Sequence, residues 1–278
     1  MSEVSRLRNL RDPYVIMAFG GWSDAAQAAT DAADHIVTTY NAEVVFAVDP
    51  ADYYDFQSSR PQVSLDEDGE RQLAWPSTEV LVASMPKRDL VIVRGPEPNF
   101  RWPQFSSALT SALRSVEPGL VIVLGAMLTE NPHTRPVPIM SSSQSAAVRE
   151  KYDAEASQYE GPTGMTGVMS MALHTAGIPV LSLWAACPHY VANPPNPKAA
   201  LALVHRLEDV LGEGIDLGDL PARAELWERS VNELAEDDPD VSEYITGLEE
   251  ADDERQPEVD GDAIAAEFQR YLRRHESD

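Results

Sequence analysis

Two short apolar runs constrain the fold of this chain more than any other feature. Asp89-Leu-Val-Ile-Val-Arg stops at Gly95-Pro96, and Gly119-Leu-Val-Ile-Val-Leu stops at Gly125. Runs of this length rich in Val and Ile suit strands buried on both faces, as in a parallel sheet covered by helices. The polar residues after each run then lie at the carboxyl end of a strand, where open α/β sheets bind ligands.

The rest of the chain supplies the matching pieces. Tyr14 to Phe19 reads as a first strand, and Gly20-Gly21-Trp22-Ser23-Asp24 as a turn in which Ser23 or Asp24 caps a helix running to about Tyr40. Glu43 to Val48 is a second strand. Gln62-Val-Ser-Leu and Arg71-Gln-Leu-Ala-Trp flank a polar, Gly-containing turn and predict a β-hairpin excursion. Thr78 to Ser84 and Asp89 to Arg94 continue the sheet, Phe100 to Val116 is helical, and Leu120 to Leu124 is central. Thr129 to Ser145 is a long connection with three prolines and His133, and such a loop in a compact domain is usually functional or mobile. The Gly-rich stretch Gln158–Gly167 leads into a helix ending near Gly177, Ile178 to Ala185 is the last strand, and Lys198 to Leu211 is an amphipathic helix. The expected architecture is three-layer α/β/α with a mostly parallel central sheet. The segments closing at Gly20, Gly95, Gly125 and Ala185 should lie side by side and point the same way.

Beyond Gly212–Gly218 the chain changes character. From Asp219 to Asp278 there are 20 acidic and 6 basic side chains, so this stretch carries more than half of the net charge of −25. Three acidic helices are expected, at about Pro221–Ala235, Val241–Glu254 and Asp262–Arg274. Their thin apolar stripes must dock on the main body, on each other or on another subunit. The expected division is therefore a core over 1–212 and an acidic helical region over 219–278.

The acidity opposes nucleic-acid binding, which depends on neutralising phosphates with Lys and Arg. No apolar run approaches the roughly 20 residues that span a bilayer. A single cysteine, Cys187, leaves no internal disulfide framework and fits a reducing cytoplasm. The six histidines are scattered without ligand spacing, so no metal and no cofactor is expected. The absence of a Gly-x-Ser-x-Gly elbow argues against an ordinary α/β-hydrolase.

Parallel strands would gather Ser23, Asp24, Arg94, Glu97, Arg101, His133, Arg135 and Thr163 at one rim. Glu97, stiffened by Pro96 and Pro98, is a candidate base or ligand carboxylate, and otherwise a structural partner of Arg101. His133 is a candidate acid or base because its ordinary pKa lies near neutrality. Ser23, Asp24, Arg101, Arg135, Thr163 and Gly164 are candidate ligand-binding residues. The glycines around Thr163 and Gly164 could aim backbone N–H groups at an anion, or merely permit a tight turn. Cys187 beside His189 lacks an orienting third group and reads as a buried, inert thiol.

Six segments in order carry a resemblance. They are Gly20-Gly-Trp-Ser-Asp-Ala-Ala, Leu73-Ala-Trp-Pro, Arg94-Gly-Pro-Glu-Pro-Asn-Phe-Arg-Trp, Pro132-His-Thr-Arg-Pro-Val-Pro, Tyr159-Glu-Gly-Pro-Thr-Gly and Ser182-Leu-Trp-Ala-Ala-Cys-Pro-His-Tyr-Val. With them the chain resembles the proteasome assembly chaperone 2 family in its actinobacterial branch. The resemblance implies a phosphorylase/hydrolase-like α/β/α fold, a homotrimer, and protein partners such as proteasome components. It supplies no catalytic residues. Two functions are open on these grounds, and the first is the preferred one. One is a non-enzymatic binding or assembly protein. The other is a small-molecule enzyme, a nucleosidase, phosphorylase or hydrolase, with Glu97 and His133 as its acid/base pair and its pocket at the rim. The thin helical stripes and the exposed hairpin also predict oligomerisation, because bare apolar surface needs cover.

Overall fold

Strand direction decides whether the polar clusters share a rim. In the computed structural model, which describes residues 7, 9–66, 68–255, 270 and 273, they do. A seven-stranded sheet has the order β2-β5-β6-β1-β7-β9-β8, with β1 at Tyr14–Gly20, β2 at Glu43–Ala47, β5 at Glu79–Ser84, β6 at Asp89–Pro96, β7 at Leu120–Thr129, β8 at Ile139–Ser142 and β9 at Val180–Pro188. The four central strands are mutually parallel, with Phe19 beside Gly95, Ala18 beside Leu124 and Ala126 beside Ala185. The four expected strand ends therefore lie side by side, as the apolar runs demanded.

Alternation along β1 explains the three layers. Tyr14, Ile16 and Ala18 face one core with α1 (Ala28–Thr39) and α5 (Pro197–Leu211). Val15, Met17 and Phe19 face a second core with α2 (Trp102–Arg114) and α4 (Met165–Thr175). Side chains of one strand are thus buried on both sides, which accounts for the uninterrupted Val/Ile runs. Alanines at 28, 29, 32 and 33 bring α1 close to the sheet.

The edges are antiparallel. β5 pairs antiparallel with β6 and β2 with β5, while β8 closes the far edge against β9. β8 and the short helix α3 (Ala146–Tyr152) occupy ground read from the sequence as a long connection and its sequel. Four residues after two prolines carry little periodicity of their own, and β8 takes its register from β9. The hairpin β3–β4 (Gln62–Leu65, Arg71–Ala74) forms as expected and stands as a separate sheet.

After Gly212 the chain continues into α6 (Leu220–Glu236) and α7 (Pro239–Arg255). Leu220 belongs to the same core as α1 and α5, and Ala224, Val231 and Ala235 are buried. The third acidic helix, expected over Asp262–Arg274, lies outside the described residues apart from Arg270 and Arg273. Their guanidinium groups pair with Asp209 of α5 at 3.0 and 2.6 Å. None of the helices, among the described residues, is long and apolar enough to cross a membrane.

Candidate functional site

The rim is built where β1 ends. The Ser23 carbonyl accepts the Ala126 N–H at 2.9 Å, tying the β1 turn to β7. Asp24 then caps α1 from a distance. A 3-10 turn, Ala25–Gln27, intervenes, so the Asp24 carboxylate accepts from Ala29 N at 2.7 Å, from Thr30 N at 3.3 Å and from the Thr30 hydroxyl. Burial pushes the Asp24 pKa up, against those bonds.

Glu97 is the pivot of the rim. Its N–H donates to the Gly20 carbonyl at 2.7 Å, and its Oε1 accepts the Met165 N–H at 2.6 Å. The carboxylate therefore occupies the positive end of α4, where a ligand anion would have gone. Ser23 packs beside it, 3% exposed, with a hydroxyl that has no partner among the described residues. A Cβ on Gly164 would lie 2.5 Å from the Ser23 Oγ and 3.0 Å from the Glu97 Oε1, so any larger residue there would displace those side chains. Thr163 packs against Gly167, one turn into α4. Ser23, Asp24, Glu97, Thr163 and Gly164 thus come together.

The remaining candidates do not join them. The Arg101 guanidinium pairs with Asp52 at 2.6 Å, in the open, and not with Glu97. Arg135 lies in the β7–β8 connection and forks onto Asp253 of α7 at 2.9 and 3.1 Å. His133 is sealed between that connection and α6. It is 2% exposed, with Nδ1 2.8 Å from the Tyr190 hydroxyl and Nε2 2.9 Å from the Asn232 Oδ1. The Tyr190 oxygen also accepts the His133 backbone N–H at 2.7 Å. Its single proton then goes to Nδ1, which leaves Nε2–H to meet the amide oxygen. Among the described residues, Glu97 and His133 share no hydrogen-bond partner.

Burial lowers the His133 pKa, and nearby Lys198 adds to this, against the Asn232 bond and the carboxylates Glu228 and Glu249. The folded chain therefore holds a neutral imidazole that the unfolded chain protonates more readily. The stability this confers is present above about pH 6.5, the ordinary histidine value, and is lost as pH falls below it. Urea midpoints measured from pH 8 to pH 5 should fall more steeply for the wild type than for His133→Gln. Parallel profiles would refute the neutral, sealed imidazole.

Two residues of this seam are not among the sequence candidates: Tyr190 lies in the segment ending Cys-Pro-His-Tyr-Val but takes no role there, and nothing local marks Asn232. Arg94 is likewise satisfied, by Asp34 and by Glu79 at 3.2 Å. Those three side chains line an open groove of about 320 Å³ with Gly20, Thr30 and Gly95. A second open groove, about 460 Å³, runs along α7 by Tyr244 and Leu248. Neither is lined by Glu97, His133 or Thr163. The Cys187 thiol is buried, and burial pushes its pKa up to about 12. Among the described residues no three His, Cys, Asp or Glu side chains converge as a metal ion requires.

Comparison with known proteins matches residues 18–235 to a family model described as the PAC2 family. A crystal structure of a PAC2 family protein from Streptomyces avermitilis is 46% identical, with a TM-score of 0.78, covering 84% of this chain and 99% of that one. A Mycobacterium tuberculosis proteasome-assembly chaperone homologue is 42% identical, with a TM-score of 0.75 and the same coverage of 84% and 99%. An archaeal homologue of proteasome-assembly chaperone from Pyrococcus furiosus shares the fold at 16% identity, with a TM-score of 0.58 over 87% of this chain and 96% of that one. No curated protein matches.

Proposed function

This chain belongs to the PAC2 family, and on that premise we propose that it is a non-enzymatic binding protein acting in the assembly of other proteins. The observation that carries this reading is how Glu97 is used. Its carboxylate, the rim group best placed for chemistry, is spent on the first turn of α4. His133, the other half of an acid/base pair, is spent on closing the C-terminal helices over the body. One oxygen of Glu97 and both ring nitrogens of His133 are thus engaged within the protein, and that counts against the small-molecule enzyme.

The named relative from Mycobacterium tuberculosis supports proteasome components as the partner class. The net charge of −25 supports a partner whose contact surface is basic, since opposite potentials steer association. The protein works as a homo-oligomer in the cytoplasm, three copies being the number the family resemblance implies. Its core spans 1–212, and its acidic helical region, 219–278, supplies part of the docking surface.

Mixing the purified chain with purified proteasome subunits of its source organism should give a heteromeric complex. Light scattering coupled to size exclusion at tens of micromolar reads this directly. Particles that never exceed the mass of either component's own assembly would refute the reading.

A further inference from the structure

Among the described residues, β3 and β4 hydrogen-bond to each other and to no strand of the main sheet. Val63 stands opposite Leu73, and Leu65 opposite Arg71. Side chains alternate along a strand, so Val63, Leu65 and Leu73 share one face, with Arg71 beside Leu65 at its turn end and Trp75 continuing it two residues on. Gln62, Ser64 and Gln72 take the other face. The apolar face is largely open, with Val63 56%, Leu65 69%, Leu73 54% and Trp75 50% exposed, although the Phe56 ring packs on Trp75 at 4.7 Å. A two-stranded hairpin is marginal alone in water, and a contiguous apolar patch of this kind marks an interaction surface.

Charge selects the occupant. Exposed Asp66, Asp68 and Glu70 crowd the turn at one end of the hairpin. Exposed Arg60 stands at the other end, two residues before β3, and makes no ion pair among the described residues. Two hairpins laid face to face and head to tail set each acidic turn against the other copy's Arg60, while the apolar side chains interlock. Stacking turn over turn would oppose like charges, which is costly. We propose that the apolar face of the β3–β4 hairpin is a two-fold contact to a second copy of this chain. This deepens the oligomeric part of the function proposed above and rests on it only for the existence of an assembly. A two-fold contact joins copies in pairs, so a trimer formed through other surfaces becomes a hexamer.

The test is the number of chains per particle, by light scattering on the full chain at tens of micromolar. An even number is expected for the wild type. Leu65→Ser/Leu73→Ser should halve it while leaving the far-ultraviolet circular dichroism spectrum unchanged, because both positions are exposed. Arg60→Glu, and separately Asp68→Arg/Glu70→Arg, should each weaken pairing by roughly tenfold or more. Mixing these two variants should restore much of it, because the intact acidic turn of one then meets Arg60 of the other, and the neutralised turn no longer repels the carboxylate that Arg60→Glu introduces. An odd-numbered wild-type assembly, pairing that survives Leu65→Ser/Leu73→Ser, or a mixture that stays unpaired would overturn the contact and leave the assembly function standing. A monomeric wild type would overturn the oligomeric reading as well.

Discussion

Replacing Gly95 by alanine lowers the stability of the chain by about 3 kcal/mol or more, read from the urea midpoint. Gly95 sits near the end of β6 with φ +156°. A Cβ there would lie 2.5 Å from the Ser77 carbonyl oxygen and 2.7 Å from the Thr78 Cα. Both are backbone atoms and cannot swing aside. Moving them would disturb the Val48 N–H bond to the Thr78 carbonyl at 2.8 Å and the Tyr54–Thr78 hydroxyl pair at 2.7 Å. Gly177 provides the contrast. It has φ +78°, but a Cβ there meets nothing within 4 Å. Gly177→Ala should therefore cost only the backbone term, about 1 kcal/mol. Equal losses at the two positions would show that the β5–β6 approach is looser than these distances.

The parallel centre of the sheet was legible because its strands are buried on both faces. Such strands cannot afford a polar residue, and the apolar runs in β6 and β7 announce them. Antiparallel pairing of β5 with β6 follows from the connection, since only Met85–Arg88 intervene and a parallel crossover needs a dozen or more residues. The hairpin was legible from its turn. β8 was not, because an edge strand of four residues draws its order from β9 and not from its own pattern. The start of α1 shifted for a related reason. The Asp24 carboxylate reaches across the 3-10 turn to cap a helix that begins at Ala28.

Within the candidate site the sequence showed which groups were rigid, and hid what they touch. Two flanking prolines mark Glu97 as a fixed carboxylate, yet its acceptor role is set by Met165, on an element that only the fold brings near. The expected pairing with Arg101 fails because Asp52 reaches that guanidinium instead. His133 is the same case at longer range, since Asn232 lies on an acidic helix with no local signal. Polar partners joined only by tertiary structure leave no period or spacing to read.

Glu97→Ala is the substitution in which the structural and chemical readings of the rim part most sharply. It deprives the buried Met165 N–H of its acceptor and removes a carboxylate from the positive end of α4. Loss of an N-terminal cap costs about 0.5–2 kcal/mol, and an unsatisfied buried donor costs about 1–3 kcal/mol. These describe one bond seen from two sides, so about 2 kcal/mol is expected in all. Glu97→Gln keeps an acceptor oxygen and should recover most of the loss, apart from about 0.3–1 kcal/mol of charge–dipole attraction.

The decisive measurement is urea denaturation of the wild type, Glu97→Gln and Glu97→Ala side by side at pH 7. The midpoints should fall in that order, with Glu97→Ala about 2 kcal/mol below the wild type. Three coincident midpoints would mean that the Glu97 carboxylate is not holding α4, and would return it to the candidates for chemistry.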